Sequence, residues 1–273
     1  MILYRNVKPG QTEKYYECIE GAYMNEDKKK TNENMIEGRN AVLEAFRSGQ
    51  TVDKLYVLDG CQDGPVRTIV REARKHDTLL QFVDKERLSQ MSETGKHQGV
   101  IAYKAAYGYA RVEDMLALAK ERDEDPFLIL LDNIEDPHNL GAIIRTANLV
   151  GAHGVIIPKR RAAGLTATVA KTSAGAVNYT PVAKVTNLKK TMEELKKEGL
   201  WFVCADMSGT RMYDLDLTGP IGVVIGNEGE GVSRLVKETC DFVAAIPMKG
   251  EIDSLNASVA AGVLAYEIVR QRL

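Results

Sequence analysis

The sequence of 273 residues lacks several features that define familiar classes of protein. Its four cysteines, Cys18, Cys61, Cys204 and Cys240, stand far apart and form neither a CxxC pair nor a dense disulfide framework. The thiols are therefore expected to be reduced. The four histidines are equally scattered, so we expect no metal site.

Long apolar runs are also missing. The N-terminal residues MILYRNVKPGQTEKYYECIEG contain no uninterrupted apolar segment of the kind found in signal peptides. No stretch elsewhere offers the roughly 18 apolar residues that span a bilayer. These two observations predict a cytoplasmic protein without a membrane-spanning helix.

A strong positive charge is absent as well. The 36 Lys and Arg residues against 38 Asp and Glu residues give a net charge of −2, which argues against nonspecific coating of nucleic acid. Any RNA binding must use local basic patches, for which residues 28–30, 67–75 and 159–161 are candidates. Each patch taken alone is more often an ordinary solvated surface.

The first part of the chain divides into an extension, a small unit and a connection. Residues 1–34 end in the polar segment NEDKKKTNEN, which predicts a flexible extension. Over residues 35–106, helical patterns near residues 40–47 and 65–76 alternate with the strand patterns VDKLYVLD, LLQFVD and GVIAYK, which is typical of a compact α/β unit. Residues 107–126 carry a polar helix over 112–121 and are interpreted as a linker.

Residues 127–273 repeat a strand–helix pattern. Five apolar runs rich in β-branched residues predict buried strands: FLILLDNI, GVIIPK, WFVCADM, IGVVIGNE and FVAAIPM. Helical periodicity separates or follows them over residues 140–150, 165–176, 188–198, 232–238 and 255–270. The pattern predicts an α/β fold with a parallel sheet covered on both faces. Ligands of such sheets bind outside the carboxyl ends of the strands.

The first loop at such an end is LDNIEDPHNLGAIIRTAN. Asn139 is well placed to cap the helix that follows. On that helix Gly141, Arg145 and Asn148 fall on one face by their spacing, which suggests a docking surface. A capping asparagine and a surface arginine would explain the same residues without any function.

The second loop, IGNEGEGVS, joins a predicted strand to a helix. Gly226, Gly229 and Gly231 read GxxGxG, which is neither the GxGxxG of dinucleotide folds nor a phosphate loop. Glu228 and Glu230 disfavour phosphate binding, since two carboxylates would face a polyanion. A cationic ligand fits better, although a tight structural turn is the simpler alternative.

The third loop, IPMKGEIDSLNASVAAGVLAYE, leads into a helix rich in small residues. Ser254 can cap this helix, whose alanines allow a close neighbour either within the fold or across a dimer interface. A well-packed terminal helix explains the alanines fully. It leaves Asn256 and Ser258 unexplained among apolar neighbours, and buried amides need partners.

Taken together, these three loops resemble the three signature motifs of the SpoU/TrmH class of S-adenosylmethionine-dependent RNA 2′-O-methyltransferases, in the same order. The resemblance covers residues 127–273 and extends to the N-terminal unit. There, IEGRNAV and GKHQGVIA resemble segments of the ribosomal-protein-like substrate-binding domain of bacterial 23S rRNA guanosine-2′-O-methyltransferases. The resemblance implies a homodimer, which the small-residue face of the helix over residues 255–270 also favours. A C-terminal trefoil knot in the catalytic domain is implied by the resemblance alone.

The resemblance also implies a site. Carried across by position, S-adenosylmethionine should meet the backbone near Gly226, Ile246 and Leu255. The expected residues around the reacting ribose are Asn139, Arg145, Glu228, Ser254 and Asn256. We expect Arg145 to stabilise charge, because a guanidinium with a pKa above about 12 is a poor proton acceptor. The proton of the 2′-hydroxyl then passes to water or to Glu228.

Three other functions remain open at this stage. The enzyme could methylate tRNA instead of 23S rRNA. A noncatalytic RNA-binding protein would use the N-terminal unit alone, but the intact motifs speak against it. A nicotinamide-dependent dehydrogenase would fit the alternating strands, but the glycine spacing is wrong and the glycine loop follows the fourth predicted strand instead of the first.

Overall fold

The computed structural model describes residues 34–76, 78–252 and 254–273. The predicted flexible extension, apart from Asn34, lies outside the described residues, as does the basic patch at residues 28–30. The described part folds into two sheets, one of four strands and one of six. None of the helices in these ranges is long and apolar enough to cross a membrane.

The smaller unit is built on a mixed sheet with the strand order β1-β4-β2-β3. Its strands are β1 (Met35–Glu37), β2 (Val52–Leu58), β3 (Leu79–Val83) and β4 (Val100–Lys104). Its helices are α1 (Arg39–Arg47), α2 (Gly64–Lys75) and α3 (Lys85–Met91). The predicted helices and strands of this unit are confirmed to within about two residues, whereas β1 and α3 were not predicted.

The core of this unit lies on one face of its sheet. Leu55 and Val57 of β2 pack with Val42 of α1 and Ile69 of α2, all fully buried. Helix α2 begins where Asp63 accepts a hydrogen bond from the Val66 amide and where proline occupies the first turn. The opposite face of the sheet therefore carries the alternate residues of the strands.

The larger unit is a six-stranded parallel sheet in the order β10-β8-β9-β5-β6-β7. Its strands are β5 (Phe127–Leu131), β6 (Gly154–Pro158), β7 (Val182–Val185), β8 (Trp201–Arg211), β9 (Ile221–Ile225) and β10 (Phe242–Ala245). All five residues of β5 and of β9 are buried. The strand pairing confirms the parallel sheet predicted from the apolar runs. The prediction was possible because strands covered on both faces are apolar throughout.

Helices cover both faces of this sheet. They are α4 (Val112–Glu121), α5 (Pro137–Leu149), α6 (Ala167–Thr172), α7 (Leu188–Lys197), α8 (Arg234–Lys237) and α9 (Ala257–Arg272). The first core joins α5, α6 and α9 to one face through Leu140, Val169 and Ala261. The second joins α4, α7 and α8 to the other through Met115 and Met192. Strand β10 lies at the edge of the sheet. The chain then returns to the middle of the sheet, where α9 contacts β9 and α5.

Several predicted boundaries were wrong. Strand β7 was missed because VAKV contains a lysine and follows Pro181, which hides a four-residue strand. Helix α6 is half as long as predicted, since Ala174 and Gly175 adopt left-handed φ values of 50° and 85°. Helix α9 begins two residues later than predicted.

The segment 107–126, expected to be a linker, contains α4 as predicted, and this helix is packed. Met115 and Ala119 are fully buried in the core beneath the large sheet. Met115 lies so close to Gly154 that a Cβ there would overlap its sulfur. The segment thus connects the two units and also covers part of one face of the large sheet.

Candidate functional site

The loops after β9 and β10 meet the middle of β8, just beyond Cys204, its last residue paired with β9, around an open cavity of about 310 Å³. Strand β8 contributes Ala205, Asp206 and Met207. The β9 loop contributes residues 226–231, and the chain between β10 and α9 contributes Ile246, Met248, Ser254 and Leu255. The cavity therefore lies at the carboxyl ends of β9 and β10 and beside the point where β8 leaves β9, on the edge where parallel sheets bind ligands.

The β9 loop is held in a tight turn. The Asn227 side-chain oxygen accepts hydrogen bonds from the amides of Gly229 at 3.0 Å and Glu230 at 2.6 Å. Gly226 lies against the backbone of Gly231 and Val232, where a Cβ atom would overlap main-chain atoms. Glycine at 226 is needed for this close approach, and the loop exposes Glu228 and Glu230 at the cavity.

A polar cluster lies at one side of the cavity and joins all three loops. The Oε1 atom of Glu228 accepts hydrogen bonds from Nδ2 of Asn139 at 2.9 Å and Nδ2 of Asn256 at 2.5 Å. It also accepts one from the Ala257 amide at 3.3 Å. Asn256 Nδ2 lies 2.9 Å from Asn139 Oδ1 as well. We call Asn139, Glu228 and Asn256 the amide–carboxylate cluster.

Two predicted helix caps were wrong. Asp136, not Asn139, caps α5, because its carboxylate accepts a hydrogen bond from the His138 amide and Pro137 already occupies the first helical position. Asn256, not Ser254, caps α9, since its Oδ1 accepts hydrogen bonds from the amides of Ser258 and Val259. Asn139 is thereby left free to join the cluster.

Most of the residues implied by the resemblance are brought together. Gly226, Ile246 and Leu255 all line the cavity, as do Glu228 and Ser254. Asn139 and Asn256 reach it through their hydrogen bonds to Glu228. The roles assigned to these residues stay predictions, whereas their common location is a property of the fold.

Arg145 is the exception. Its side chain is exposed on α5, and no described residue forms a hydrogen bond or an ion pair with it. It lies six positions after Asn139, which places it about 9 Å further along the helix axis. Gly141 was expected beside it on an exposed docking face but is buried against Val169 and Thr172 of α6.

Sequence reasoning missed the contribution of β8. The Asp206 carboxylate lines the cavity and pairs with the Lys237 ammonium group at 2.7 Å. The side-chain hydrogen bond from Lys237, with a further one from Ser208, lowers the pKa of Asp206 to about 2. Its position shortly after the buried residues Phe202, Val203 and Cys204 was the available signal, because residues that follow the buried part of a parallel strand face the ligand site.

The described residues include no group of three or more His, Cys, Asp or Glu side chains that could hold a metal ion. Within the same ranges, Cys61, Cys204 and Cys240 are free thiols.

Comparison with known proteins identifies the class. Residues 126–266 match the SpoU rRNA Methylase family, and residues 35–110 match the RNA 2'-O ribose methyltransferase substrate binding family. Fold and site together are thus those of an RNA methyltransferase with a separate substrate-binding unit. YacO of Bacillus subtilis strain 168 is named as a TrmH family tRNA/rRNA methyltransferase. It is 50% identical to this chain, and the match covers 86% of this chain and 94% of YacO. This chain belongs to the SpoU rRNA methylase family.

Other similar proteins agree. A TrmH family homologue of Staphylococcus saprophyticus is 46% identical over 87% of this chain and 96% of its own. The SpoU methyltransferase AviRb of Streptomyces viridochromogenes, crystallised with AdoMet, has a TM-score of 0.56 at 27% identity, covering 87% and 90% of the two chains. The expected class and cofactor are confirmed: the family consists of S-adenosylmethionine-dependent RNA methyltransferases, and the C-terminal knot is implied by membership of it.

Proposed function

We propose that the protein transfers a methyl group from S-adenosylmethionine to the ribose 2′-hydroxyl of a guanosine in 23S rRNA. The proposal rests on the position of Glu228. This residue lines the cavity and also accepts hydrogen bonds from both asparagines of the amide–carboxylate cluster. A group bound in the cavity and a ribose bound at the cluster would therefore lie side by side.

The cavity suits the cofactor chemically. Ile225, Ile246 and Leu255 offer apolar walls for an adenine ring, and Gly226 lets the ligand approach the backbone. The carboxylates of Asp206, Glu228 and Glu230 favour a ligand that carries positive charge. When bound, S-adenosylmethionine supplies a methyl group already activated as a sulfonium, so no metal or covalent intermediate is required.

The remaining work falls to the side chains, which must position the hydroxyl and accept its proton. Glu228 Oε1 is occupied by three donors, whereas Oε2 has no hydrogen-bond partner among residues 34–76, 78–252 and 254–273. We assign Oε2 to accept the proton of the 2′-hydroxyl, directly or through water. Ser254 and the amides of Asn139 and Asn256 orient the ribose, which is the main source of rate when the donor is already activated.

Arg145 has the complementary role of stabilising negative charge. Its exposed guanidinium is free to bind the incoming RNA, and it can donate two hydrogen bonds to a phosphate or to the developing alkoxide. We infer that RNA binding brings this group to the cluster.

The substrate is assigned from the smaller unit. Residues 35–110 match a substrate-binding family of RNA 2'-O ribose methyltransferases, and the relatives are named for both tRNA and rRNA. The likeness of IEGRNAV and GKHQGVIA to the 23S rRNA enzymes favours ribosomal RNA. A cytoplasmic enzyme follows from that substrate.

The test is to map ribose methylation in a strain from which the gene is deleted. One guanosine of 23S rRNA should lose its 2′-O-methyl group, and it should regain the group when the wild-type gene is restored. The gene carrying Glu228→Gln should restore it poorly. Loss of a tRNA methylation with intact 23S rRNA would replace the proposed substrate with tRNA.

A further inference from the structure

A cleft separates the two units on the side of the small sheet that faces away from its core. One wall consists of Lys54, Tyr56 and Tyr103 from β2 and β4, and Lys104 at the end of β4 borders it. The other consists of Lys159, which follows β6, and Lys184 of β7. We call the space between these six residues the interdomain cleft. Its volume of about 270 Å³ is near the lower end for ligand pockets, which suits a nucleotide and excludes a duplex.

The pairing of the strands explains why the side chains of Lys54, Tyr56 and Tyr103 share one face. Lys54 lies opposite Tyr103 in the antiparallel pair of β2 and β4, and opposite residues point to the same side of a sheet. Tyr56 follows Lys54 by two positions and points the same way. The rings of Tyr56 and Tyr103 contact each other edge-on with their centroids 6.0 Å apart.

Both walls are joined by one half-buried contact. Asp53 of β2 accepts a hydrogen bond from Lys184 Nζ at 2.6 Å and one from the Tyr109 hydroxyl at 3.0 Å. Tyr109 in turn accepts a hydrogen bond from the Leu165 amide, and burial raises the pKa of its hydroxyl. We call Asp53, Tyr109 and Lys184 the domain latch. It joins the two walls of the interdomain cleft.

The cleft concentrates positive charge in a chain whose net charge is −2. Among the described residues, Lys54, Lys159 and Lys184 line it together with one carboxylate, Asp53, which pairs with Lys184. Burial lowers the pKa of Lys159, and the nearby charge of Lys184 lowers it further.

The cleft also lies on a line with the candidate active site. In the sheet order β9-β5-β6-β7, the cavity follows β9, Asn139 follows β5, Lys159 follows β6, and Lys184 lies near the end of β7. All four strands are parallel, so these groups share one edge of the sheet. Three strand spacings amount to about 14 Å, which about four stacked nucleotides would span.

We propose that the interdomain cleft binds single-stranded RNA next to the nucleotide that is methylated, with its lysines on the phosphates and its tyrosines against a base. This inference rests on the proposed function, because it assumes an RNA substrate at the cavity. Single strands are recognised in this way because aromatic rings stack on any base while cationic groups follow the backbone. The cleft would therefore bind an unpaired RNA segment but not a duplex.

The first experiment measures RNA binding by the full chain as a function of salt. The probes are 23S rRNA and a tRNA, both transcribed in vitro, and the variant is Lys54→Gln/Lys159→Gln. Binding should weaken on the order of tenfold. The slope of the logarithm of the binding constant against the logarithm of the salt concentration should become shallower by about 1.4, the value for two phosphates of a single strand. S-adenosylmethionine affinity and melting temperature should match the wild type.

The matched control removes the same charge elsewhere. Lys120 and Lys197 are exposed at the ends of α4 and α7, and the strands that follow these helices begin at the opposite edge of the sheet. Lys120→Gln/Lys197→Gln should therefore bind RNA like the wild type. A second pair tests stacking: Tyr56→Leu should weaken binding roughly 5- to 100-fold, and Tyr56→Phe should retain it.

The outcomes separate the two proposals. Wild-type affinity and salt slope in the Lys54→Gln/Lys159→Gln variant would overturn the cleft assignment, while methylation of 23S rRNA by the wild type would leave the proposed function intact. If the wild type methylates neither RNA but the cleft variants still lose binding, the proposed function fails and the cleft stands. Failure of the wild type to bind either RNA would overturn the cleft as well.

Discussion

At Glu228 a single carboxylate oxygen accepts three hydrogen bonds, and they come from two different loops. This contact holds the segment after β5, the segment after β9 and the start of α9 at one point, although 117 positions separate Asn139 from Asn256. The same residue lines the cofactor cavity. A change at this point should therefore affect methyl transfer more than it affects the stability of the fold.

Arg145→Ala tests the residue that the structure leaves outside the cluster. Because the side chain is exposed, the free energy of unfolding should change by no more than roughly 0.5 kcal/mol. Methyl transfer should fall on the order of 100-fold or more, by analogy with the loss of an oxyanion donor. Cofactor affinity, measured by calorimetry, should be unchanged because Arg145 does not line the cavity.

Arg145→Lys is the informative control for this prediction. It keeps the charge but loses the planar group that can donate to two oxygens, so it should rescue activity only in part. A wild-type rate of methylation by Arg145→Ala would remove Arg145 from the mechanism.

Gly226→Ala tests the close approach of the β9 loop. The added methyl group would overlap the backbone of Gly231 and Val232, so the loop must move, at a cost of about 1–3 kcal/mol. S-adenosylmethionine binding should be lost or strongly weakened. Gly229→Ala is the matched control, since the nearest atom would lie at 3.8 Å. Equal cofactor affinities of the two variants, measured by calorimetry, would show that the loop does not need glycine at 226.

At the scale of elements, the start of α9 combines a structural and a functional task in Asn256. Its Oδ1 caps the helix, while its Nδ2 holds Glu228 and Asn139. Asn256→Ala should lose both and cost about 0.5–2 kcal/mol of stability. Asn256→Ser should keep the cap, and with it most of the stability, yet lose activity as severely. Thermal unfolding and methylation measured on both variants will separate the tasks; retained activity in Asn256→Ser would mean that the asparagine serves only as a cap.

The elements also show what periodicity could predict. The apolar runs of β5 and β9 were identified because strands buried on both faces are apolar throughout, and α5 and α7 because their apolar residues recur at helical spacing. Strand β7 escaped because its alternate residue, Lys184, points into the domain latch. The caps of α5 and α9 were misassigned because several polar residues precede each helix, and only tertiary contacts decide which of them caps.

At the scale of the whole molecule, long-range contacts were the hardest to predict. The resemblance to a family brought Asn139, Glu228 and Asn256 to one site, whereas spacing alone could not have joined them. Asp206 and the domain latch had no motif to mark them, since an aspartate after a strand and a lysine within one are common. Their importance comes from partners more than 30 positions away.

The domain latch leads to a prediction about the arrangement of the two units. Gly164→Ala would place a methyl group against the Asp53 carboxylate and the Tyr109 hydroxyl. The substitution should therefore break the domain latch and weaken the contact between the two units. Limited proteolysis should become faster within residues 105–111, and RNA binding should weaken. Gly108→Ala is the control at the same junction, because no atom lies within 4 Å of its added Cβ. Equal proteolysis of both variants and the wild type would show that the latch does not hold the units together.

We propose that the molecule is a homodimer in which the exposed side of α9 contributes to the interface. Ala257, Ala261 and Ala265 are buried within the subunit. Val259 and Tyr266, seven positions apart on α9, are instead about half exposed, at 49% and 54%. Light scattering should report twice the 30.1 kDa of one chain, and Tyr266→Glu should shift the mass toward one chain. A wild-type mass of one chain at micromolar concentration would contradict the dimer.

The most direct test of the central claim is to identify the atom that receives the methyl group. Purified protein is incubated with isotope-labelled S-adenosylmethionine and with 23S rRNA from the deletion strain, and the nucleosides are analysed by mass spectrometry. The account predicts a label on the ribose of one guanosine, which wild-type protein transfers and Arg145→Ala transfers on the order of 100-fold more slowly. A label on a base, or no transfer to either 23S rRNA or tRNA, would contradict it.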